Sequence, residues 1–309
     1  MGHYNYALLD PRNIPAAAEA NDKVFANPVY GIEVTVPALA KRCIFNLDPQ
    51  HSGGDANRAA IEDALTAELP TEGSTLATVR ADLDAVGSMA IFNLRAKGES
   101  LDPAMERINM VATSDKFARG GYTGPKPLPT RDNPWNEETA TAESSRPLAA
   151  IAVAVMDFRV PLADRVVTME RWLLTGEEPE QYRVQVEKER LDMITALEMG
   201  QIKHETRSGG KIAVVESTHR AATSVGYSIA PVVVALNPAF RLGGSDPHRK
   251  FTVCVFEEGK FADIKSALAE LATIEAGWGG SPTIGGSPQG VSSQLTTEVV
   301  VEVVEKYLL

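Results

Sequence analysis

The sequence predicts an α/β protein with a parallel-sheet N-terminal domain, a helical connector and a smaller α+β C-terminal domain. Three observations support this fold class. Residues 74–91 form a strand-turn-helix pattern, short apolar strands alternate with helical segments in the first half of the chain, and the composition becomes strand-rich after residue 210. A chain of 309 residues is long enough for two domains. We predict an N-terminal domain at 1–160, a connector at 161–204 and a C-terminal domain at 205–309.

Composition places the chain among ordinary globular proteins, since 44% of its residues are apolar and 23% are charged. The N-terminus has no basic segment followed by an apolar run, and no stretch of about 18 apolar residues is present. We therefore expect a cytoplasmic protein with no membrane partner. Cys43 and Cys254 lie in apolar, strand-like segments, which argues against a disulfide framework and against a cysteine zinc site.

The charge of the chain argues against one class of partner. A net charge of −11 disfavours a general binder of long nucleic acids, which usually displays a basic face. Residues 200–250 nevertheless carry seven Lys or Arg against three acidic residues. This local excess suits a small anionic ligand, although solvated loop charges would explain it equally well.

The N-terminal elements are, in chain order, a short helix, an edge strand ended by a proline, a buried strand and a second helix, at residues 16–25, 31–36, 43–47 and 56–65. A polar turn follows the buried strand. Its Asp48 and His51 have side chains that can ligate a metal. The alternative is that Asp48 belongs to a simple turn and Asp55 caps the next helix.

The central stretch carries the first acidic pair. Asp82 and Asp84 stand between a strand at 74–80 and a helix that follows, so both carboxylates can face one hard cation from a single turn. Gly87 would allow close helix packing and Ser88 can bond back to the turn. The alternative is that the aspartate before the helix is only an N-cap, which is worth about 1 kcal/mol.

A third aspartate follows at the spacing of one βαβ unit. Residues 108–113 are apolar and are predicted to form a strand, and Asp115 stands at the end of this strand. Aspartates at the ends of neighbouring parallel strands would form an oxygen-rich site suited to Mn²⁺ or Mg²⁺. Residues 148–156 are a further buried segment, helical or extended, and Asp157 follows them.

Beyond residue 160 the pattern changes twice. Two helices are predicted between 162 and 202, with a break at 176–179, and the C-terminal domain follows. Its strands are predicted at residues 211–216, 231–236 and 251–256, and its helices at residues 219–229, 261–274 and 292–307. The apolar run at 299–301 can pack into the core or into a second subunit, so a homo-oligomer remains an open alternative.

Residues 277–290 form a glycine-rich loop that leads towards the last helix. Glycines permit close approach and positive φ angles, so such a loop can present backbone N–H groups to an anion. A pair of tight turns is the alternative. The predicted anion-binding residues are Gly279, Gly280, Ser281, Gly285, Gly286, Ser287, Arg220 and Arg241. Arg249 is a further basic residue that could hold an anion.

These motifs resemble one known family. The pattern Asp82-x-Asp84-Ala85-x-x-Ser88 is similar to the first metal motif of the DHH phosphoesterase superfamily, and Asp115 matches the second motif by position. Gly279 and Gly280 match the glycines of the family's Gly-Gly-His motif. The family's histidines are replaced: Thr78 stands at the first, Ser281 at the last, and no Asp-His-His sequence is present.

The resemblance implies a metal-dependent phosphoesterase. It implies a pair of divalent ions, usually Mn²⁺, between the domains, with Asp82, Asp84 and Asp115 as catalytic metal ligands. Asp48, His51 and Asp157 are further candidate ligands, and His51 could replace the histidine missing at Thr78. The family's substrates imply a small phosphate-containing compound, such as a short oligonucleotide, a nucleotide or polyphosphate.

Two other functions remain open at this point. Because the family's histidines are replaced, the fold could serve a non-catalytic sensor or binding protein for a phosphorylated metabolite. An unrelated α/β enzyme whose aspartates act as acid and base groups without a metal is the third hypothesis.

Overall fold

A computed structural model describes residues 3–49, 58–115, 122–135, 146–241 and 246–309. The chain divides into two compact units. The first contains Met1–Phe117 and Arg146–Val186, and the second contains Ala118–Ser145 and Glu187–Leu309. The first has a parallel sheet with helices and the second a mixed sheet with helices, which confirms the predicted fold class.

The first unit contains four strands and seven α-helices among the described residues. The strands are β1 (Asn5–Leu8), β2 (Val29–Ile32), β3 (Asn46–Leu47) and β4 (Thr75–Thr78). The helices are α1 (Pro15–Val24), α2 (Pro37–Ala40), α3 (Ala60–Ala64), α4 (Leu83–Ala96), α5 (Met105–Asp115), α6 (Arg146–Met156) and α7 (Leu162–Thr175). The helix α8 (Glu180–Glu198) begins in the first unit and ends in the second.

The sheet of the first unit is parallel throughout, in the order β1-β4-β2-β3. Leu8 lies opposite Thr78, and Ile32 lies opposite Leu47, so the carboxyl ends of the strands share one edge. The prediction of an edge strand at 31–36 was wrong. β2 ends at Ile32, all four of its residues are buried, and it lies between β4 and β3. A strand covered on both faces needs no alternation of polar and apolar residues.

The helix α4 is the centre of the first unit. Every residue from Leu83 to Leu94 is buried, and the helix packs against β2 and against α3, α5, α6 and α7. A helix that is buried on all sides lies inside a core rather than on its surface. Gly87 confirms the predicted close packing, because a Cβ atom there would lie 2.6 Å from Ile61 Cδ1.

Two segments of this unit, one predicted as a strand and one left open between helix and strand, are both helices. Residues 108–113 are not a strand; they lie within α5. The buried residues Ile108, Val111 and Ala112 recur at intervals of three and four, which fits one face of a helix. Residues 148–156, for which both helix and strand were open, belong to α6.

In its described residues, the second unit contains a six-stranded sheet and three α-helices besides α8. The strands are β5 (Lys203–Arg207), β6 (Ile212–Glu216), β7 (Val232–Phe240), β8 (His248–Val255), β9 (Gly279–Gly280) and β10 (Ile284–Gly286). The helices are α9 (Ala222–Ile229), α10 (Ile264–Ile274) and α11 (Thr297–Lys306). The order is β5-β6-β7-β8-β10-β9, with β6 parallel to β7 and the other pairs antiparallel.

Both faces of this sheet are covered. One face packs with α9 and part of α8, and the other packs with α10 and α11. Val300 and Val301 are buried in the second of these cores, so the apolar run near the C-terminus packs within its own unit. In the part of the chain that the structure describes, every helix is too short or too polar to cross a bilayer.

Candidate metal centre

Acidic residues follow all four strands at the carboxyl edge of the parallel sheet, and Asp10, two residues after β1, pairs with Arg12. Glu33 comes directly after β2, Asp48 directly after β3, and Asp82 a few residues after β4. This edge is where ligands usually collect in parallel α/β sheets, because the loops there rest on a rigid scaffold. The sequence predicted an acidic site at the carboxyl ends of the strands, and the sheet brings several carboxylates together at this edge.

Asp82 is the N-cap of α4. Its Oδ1 accepts a hydrogen bond of 3.1 Å from the N–H of Ala85, and Arg80 Nε lies 3.5 Å from its Oδ2. Asp82 also shares a side-chain hydrogen bond with Glu33. The capping role that the sequence left open is thus present, and the same carboxylate also contacts a second acid.

Asp84 lies in the first turn of α4 and is 2% exposed. Its Oδ2 accepts a hydrogen bond of 2.7 Å from the N–H of Ala60, and its Oδ1 accepts one of 2.8 Å from the N–H of Ile61. The N-cap of α3 is Ala59, which has no side-chain acceptor, so Asp84 caps this helix from a neighbouring one. Ser88 donates a 2.8 Å hydrogen bond to the backbone carbonyl of Asp84, as predicted.

Glu33 completes the cluster, and the sequence analysis did not identify it. Its φ angle is 51°, in the left-handed region that non-glycine residues rarely occupy. Such a backbone conformation costs about 1–3 kcal/mol and is concentrated at functional sites. The turn directs the Glu33 carboxylate to Asp84 and Asp115, and one ligand oxygen of each of these three residues lies within 4.8 Å of the others.

Asp115 reaches the cluster from a different element than predicted. It is the last residue of α5 rather than the residue after a strand. The spacing of about thirty residues from Asp84 predicted that Asp115 would follow the next parallel strand. The segment before Asp115 is instead the helix α5, which packs against α4. The residue that the sequence selected is in the cluster, although the structural reason given for it was wrong.

The carboxylates of the cluster disfavour each other's ionised forms. Burial and the nearby Asp84, Asp82 and Asp115 raise the pKa of Glu33 to about 10. Burial and Asp115 raise the pKa of Asp84 to about 8, although the two backbone N–H groups act in the opposite direction. Both shifts arise from negative charge held close together in a poorly solvated place. A divalent cation would neutralise that charge, and three carboxylate oxygens form a donor set that hard cations prefer.

Of the other three candidate metal ligands, the two that the structure describes are not part of the group formed by Glu33, Asp84 and Asp115. Asp48 is buried, at 4% exposure, and lies at the same edge of the sheet. His51 lies outside the described residues. Asp157 lies in the turn after α6, where it pairs with Arg159 at 2.7 Å and accepts a 2.8 Å hydrogen bond from the Tyr182 hydroxyl. These two partners hold the pKa of Asp157 well below its ordinary range.

The glycine-rich segment is a hairpin rather than an open loop. Gly279 and Gly280 form β9, which pairs with Gly285 and Gly286 of β10. The segment does not lead directly into a helix, because α11 begins only at Thr297 and its cap is the Thr296 side chain. The last helix therefore begins five residues later than predicted, and the glycines do not lie at its N-terminus.

Close packing accounts for three of these four glycines, since a Cβ atom on Gly285 would lie 2.6 Å from the Gly279 carbonyl oxygen. A Cβ atom on Gly280 would lie 2.3 Å from Gly285 Cα, and one on Gly286 would lie 2.3 Å from the Phe251 carbonyl oxygen. The serines of the segment serve the hairpin as well. Ser281 Oγ accepts a 3.1 Å hydrogen bond from the N–H of Ile284, and Ser287 Oγ accepts one of 3.0 Å from that of Phe251.

Gly286→Ala should destabilise the second unit by about 2–4 kcal/mol, because the new methyl group overlaps backbone atoms that cannot move independently. Gly279→Ala is the matched control, because a Cβ atom there meets nothing within 4 Å. Urea denaturation of both variants measures the difference. Equal stabilities would show that packing does not explain the glycine at position 286.

Within the described part of the chain, we observe no contact between the hairpin glycines and the two predicted anion-binding arginines. Arg220 forms an ion pair with Glu189, and Arg241 follows β7 and is exposed. Their contribution to anion binding stays a prediction.

Comparison with known proteins adds no assignment. No family model matches the sequence, and no curated protein matches it. Among solved structures, an uncharacterized protein from Helicobacter pylori G27 aligns over 98% of both chains, with 10% identity and a TM-score of 0.20. A similarity at this level supports no conclusion about fold or function.

Proposed function

We propose that this protein is a divalent-metal-dependent phosphoesterase that uses Mn²⁺ or Mg²⁺ to hydrolyse a small phosphate-containing substrate. The observation that carries the proposal is the approach of Glu33, Asp84 and Asp115 to within 4.8 Å at the carboxyl edge of a parallel sheet. The motif of Asp82, Asp84 and Ser88, with its resemblance to the DHH phosphoesterases, supports the phosphoester part.

The residues of the cluster fit a cation for reasons that are independent of the resemblance. Their carboxylates face each other although burial and mutual repulsion oppose ionisation. The left-handed backbone of Glu33 directs a charged side chain into this group rather than away from it. An arrangement that costs stability at several points is expected where function requires it.

Each residue of the cluster has a defined part in this function. Glu33, Asp84 and Asp115 would supply oxygen ligands, and Asp82 would orient Glu33 through their shared hydrogen bond. The N–H groups of Ala60 and Ile61 fix the orientation of the Asp84 carboxylate. A bound divalent ion lowers the pKa of its water and stabilises the charge that develops on phosphate oxygens. The substrate would be a short oligonucleotide, a nucleotide or polyphosphate.

Asp115→Asn should weaken Mn²⁺ binding by on the order of 100-fold, because it removes a charged oxygen ligand at nearly constant volume. Asp157→Asn is the matched control, since Asp157 pairs with Arg159 and Tyr182 instead. Calorimetric titration of Mn²⁺ into EDTA-treated protein measures both affinities. Equal loss of affinity in the two variants, or none in Asp115→Asn, would refute the site.

The activity is tested separately from the binding of the metal. Short oligonucleotides, nucleotides and polyphosphate are incubated with the Mn²⁺-loaded protein, and hydrolysis is compared with that by the Asp84→Asn variant, which should bind substrate without turnover. Mn²⁺ binding without hydrolysis of any of them would favour the sensor hypothesis. Hydrolysis that persists in EDTA would favour acid and base catalysis without a metal.

A further inference from the structure

A second group of buried polar side chains lies in the second unit, where β8 begins. His248 and Lys250 are two residues apart on this strand, so their side chains point to the same face of the sheet. They are only 5% and 7% exposed. The start of β8 lies beside the end of β7, because Asn237 is paired with Lys250. The sheet therefore places an imidazole and an amine together at one of its ends.

Lys250 is a buried cation without a carboxylate partner among the described residues. Its Nζ donates a hydrogen bond to the backbone carbonyl of Ser287. A carbonyl oxygen satisfies one of the three hydrogens of an ammonium group and carries no full charge. Burial lowers the pKa of Lys250 accordingly. An amine that is kept in this position at such a cost is expected to have a function.

His248 presents a free ring nitrogen on the same face. Its Nδ1 lies 3.2 Å from the backbone carbonyl oxygen of Asp246, which can only accept, so Nδ1 carries the hydrogen. In the neutral ring Nε2 therefore offers a lone pair. This Nε2 is buried, and no described residue forms a hydrogen bond with it. Most buried polar atoms are satisfied, so an exception requires an explanation, such as a ligand.

The surroundings of the two side chains favour a ligand that carries negative charge. α9 connects the end of β6 to the parallel strand β7, so it begins at the same end of the sheet. Its N-cap is Ala221, which provides no side-chain acceptor for the first N–H groups of the helix. The N-terminus of a helix carries a partial positive charge, which favours anions. Gly286 lies beside Lys250, because a Cβ atom on this glycine would be 3.5 Å from Lys250 Cε. The absence of a side chain at Gly286 leaves space next to the amine.

We propose that His248 and Lys250 bind a phosphate group, either inorganic phosphate or the phosphate of a monoester. A singly protonated phosphate group has both functions that the two side chains require. One anionic oxygen would accept a hydrogen bond from Lys250 Nζ, and the P–OH would donate one to His248 Nε2. This inference does not rest on the proposed metal centre, because every residue in it belongs to the second unit.

The test uses the full chain in EDTA, so that phosphate cannot bind through a metal. Inorganic phosphate is titrated into the wild type, Lys250→Met and His248→Phe by calorimetry at pH 7. Each variant should lose at least about tenfold in affinity, because each removes one buried hydrogen bond to a charged group. Lys265→Met, which removes an exposed lysine of the same unit, is the matched control and should bind as the wild type does.

Sulfate provides an independent control at equal ionic strength. It has the charge and shape of phosphate but no O–H to donate at pH 7, so it should bind at least about tenfold more weakly. Equal binding of sulfate would overturn the role assigned to His248. Glycerol phosphate is titrated in parallel, and tighter binding of it than of inorganic phosphate identifies a monoester as the ligand, while the reverse identifies free phosphate.

The fold of the variants is verified by thermal unfolding without phosphate. Lys250→Met removes a buried ammonium and should unfold at the wild-type temperature or above it. A folded Lys250→Met that binds phosphate with wild-type affinity would overturn the proposal. So would a wild-type protein without phosphate binding in EDTA, whatever the result for Mn²⁺.

Discussion

Glu33→Gln is expected to bind Mn²⁺ poorly and, without metal, to be more stable than the wild type at pH 8, by about 2 kcal/mol. The substitution removes a ligand and a negative charge but keeps the length of the side chain. Glutamine at φ 51° has the same backbone strain as glutamate, so the comparison isolates the charge. A single change should therefore separate the stability of the fold from the binding of the metal.

The raised pKa values of Glu33 and Asp84 determine how the stability gained by Glu33→Gln changes with pH. The pKa of Glu33 rises from 4.5 to about 10 on folding, and that of Asp84 rises from 3.8 to about 8. Between these limits the folded state holds more protons than the unfolded state, so the stability of the metal-free wild type falls as the pH rises. Glutamine does not titrate. The advantage of Glu33→Gln should therefore be small near pH 4 and should grow towards pH 8.

Urea denaturation at several pH values, in EDTA and in excess Mn²⁺, measures these differences. Mn²⁺ at about 100 times its dissociation constant should stabilise the wild type by about 2.7 kcal/mol, and it should stabilise the variant much less. A wild-type stability that stays constant from pH 5 to pH 8 without metal would contradict the arrangement of charges described above.

Asp84→Ala is expected to destabilise the first unit by about 2–6 kcal/mol, because the N–H groups of Ala60 and Ile61 lose their acceptors in a buried place and each costs about 1–3 kcal/mol. The stability is measured at pH 5 in EDTA. At this pH, Glu33 and Asp84 hold protons, so the repulsion between the carboxylates, which the substitution also relieves, is small. Mn²⁺ binding by this variant should be lost as well, since the same carboxylate belongs to the cluster.

Asp82→Ala is the control on the same helix. Asp82 accepts a hydrogen bond from one backbone N–H group, that of Ala85, so its removal should cost about 1 kcal/mol, as for an ordinary N-cap. If Asp84→Ala costs no more than Asp82→Ala, then Asp84 does not hold α3 in place. Thermal or urea unfolding of the two variants under identical conditions decides the question.

The sequence indicated much of the acidic cluster, and its one omission has a structural cause. Asp82 and Asp84 were selected because two carboxylates stood between a strand and a helix. Glu33 was missed because residues 31–36 alternate between apolar and polar, so it looked like a solvent-facing strand residue. The strand in fact ends at Ile32, and Glu33 occupies the same position after β2 as Asp48 does after β3. An acid directly after a buried strand was the available signal.

The errors elsewhere arise from patterns that fit two structures. Residues 108–113 are apolar enough for a strand, and only their packing against α4 shows that they are helical. Glycines permit both anion binding and close strand pairing, so the sequence alone could not show that Gly280 and Gly286 are closely packed. His248 and Lys250 gave no motif, because the predicted strand covered residues 251–256, whereas β8 begins at His248.

The burial of α4 has a consequence for how the cluster moves. No side of this helix can detach without exposing the core, so Asp84 cannot leave its position through a local fluctuation. Glu33 and Asp115 instead lie at the ends of their elements, where breathing motions are ordinarily larger. An ion held by all three would bind one residue of a buried helix and two residues at the ends of their elements. Its release would therefore depend on fluctuations of the turn after β2 and of the end of α5, and would not require global unfolding.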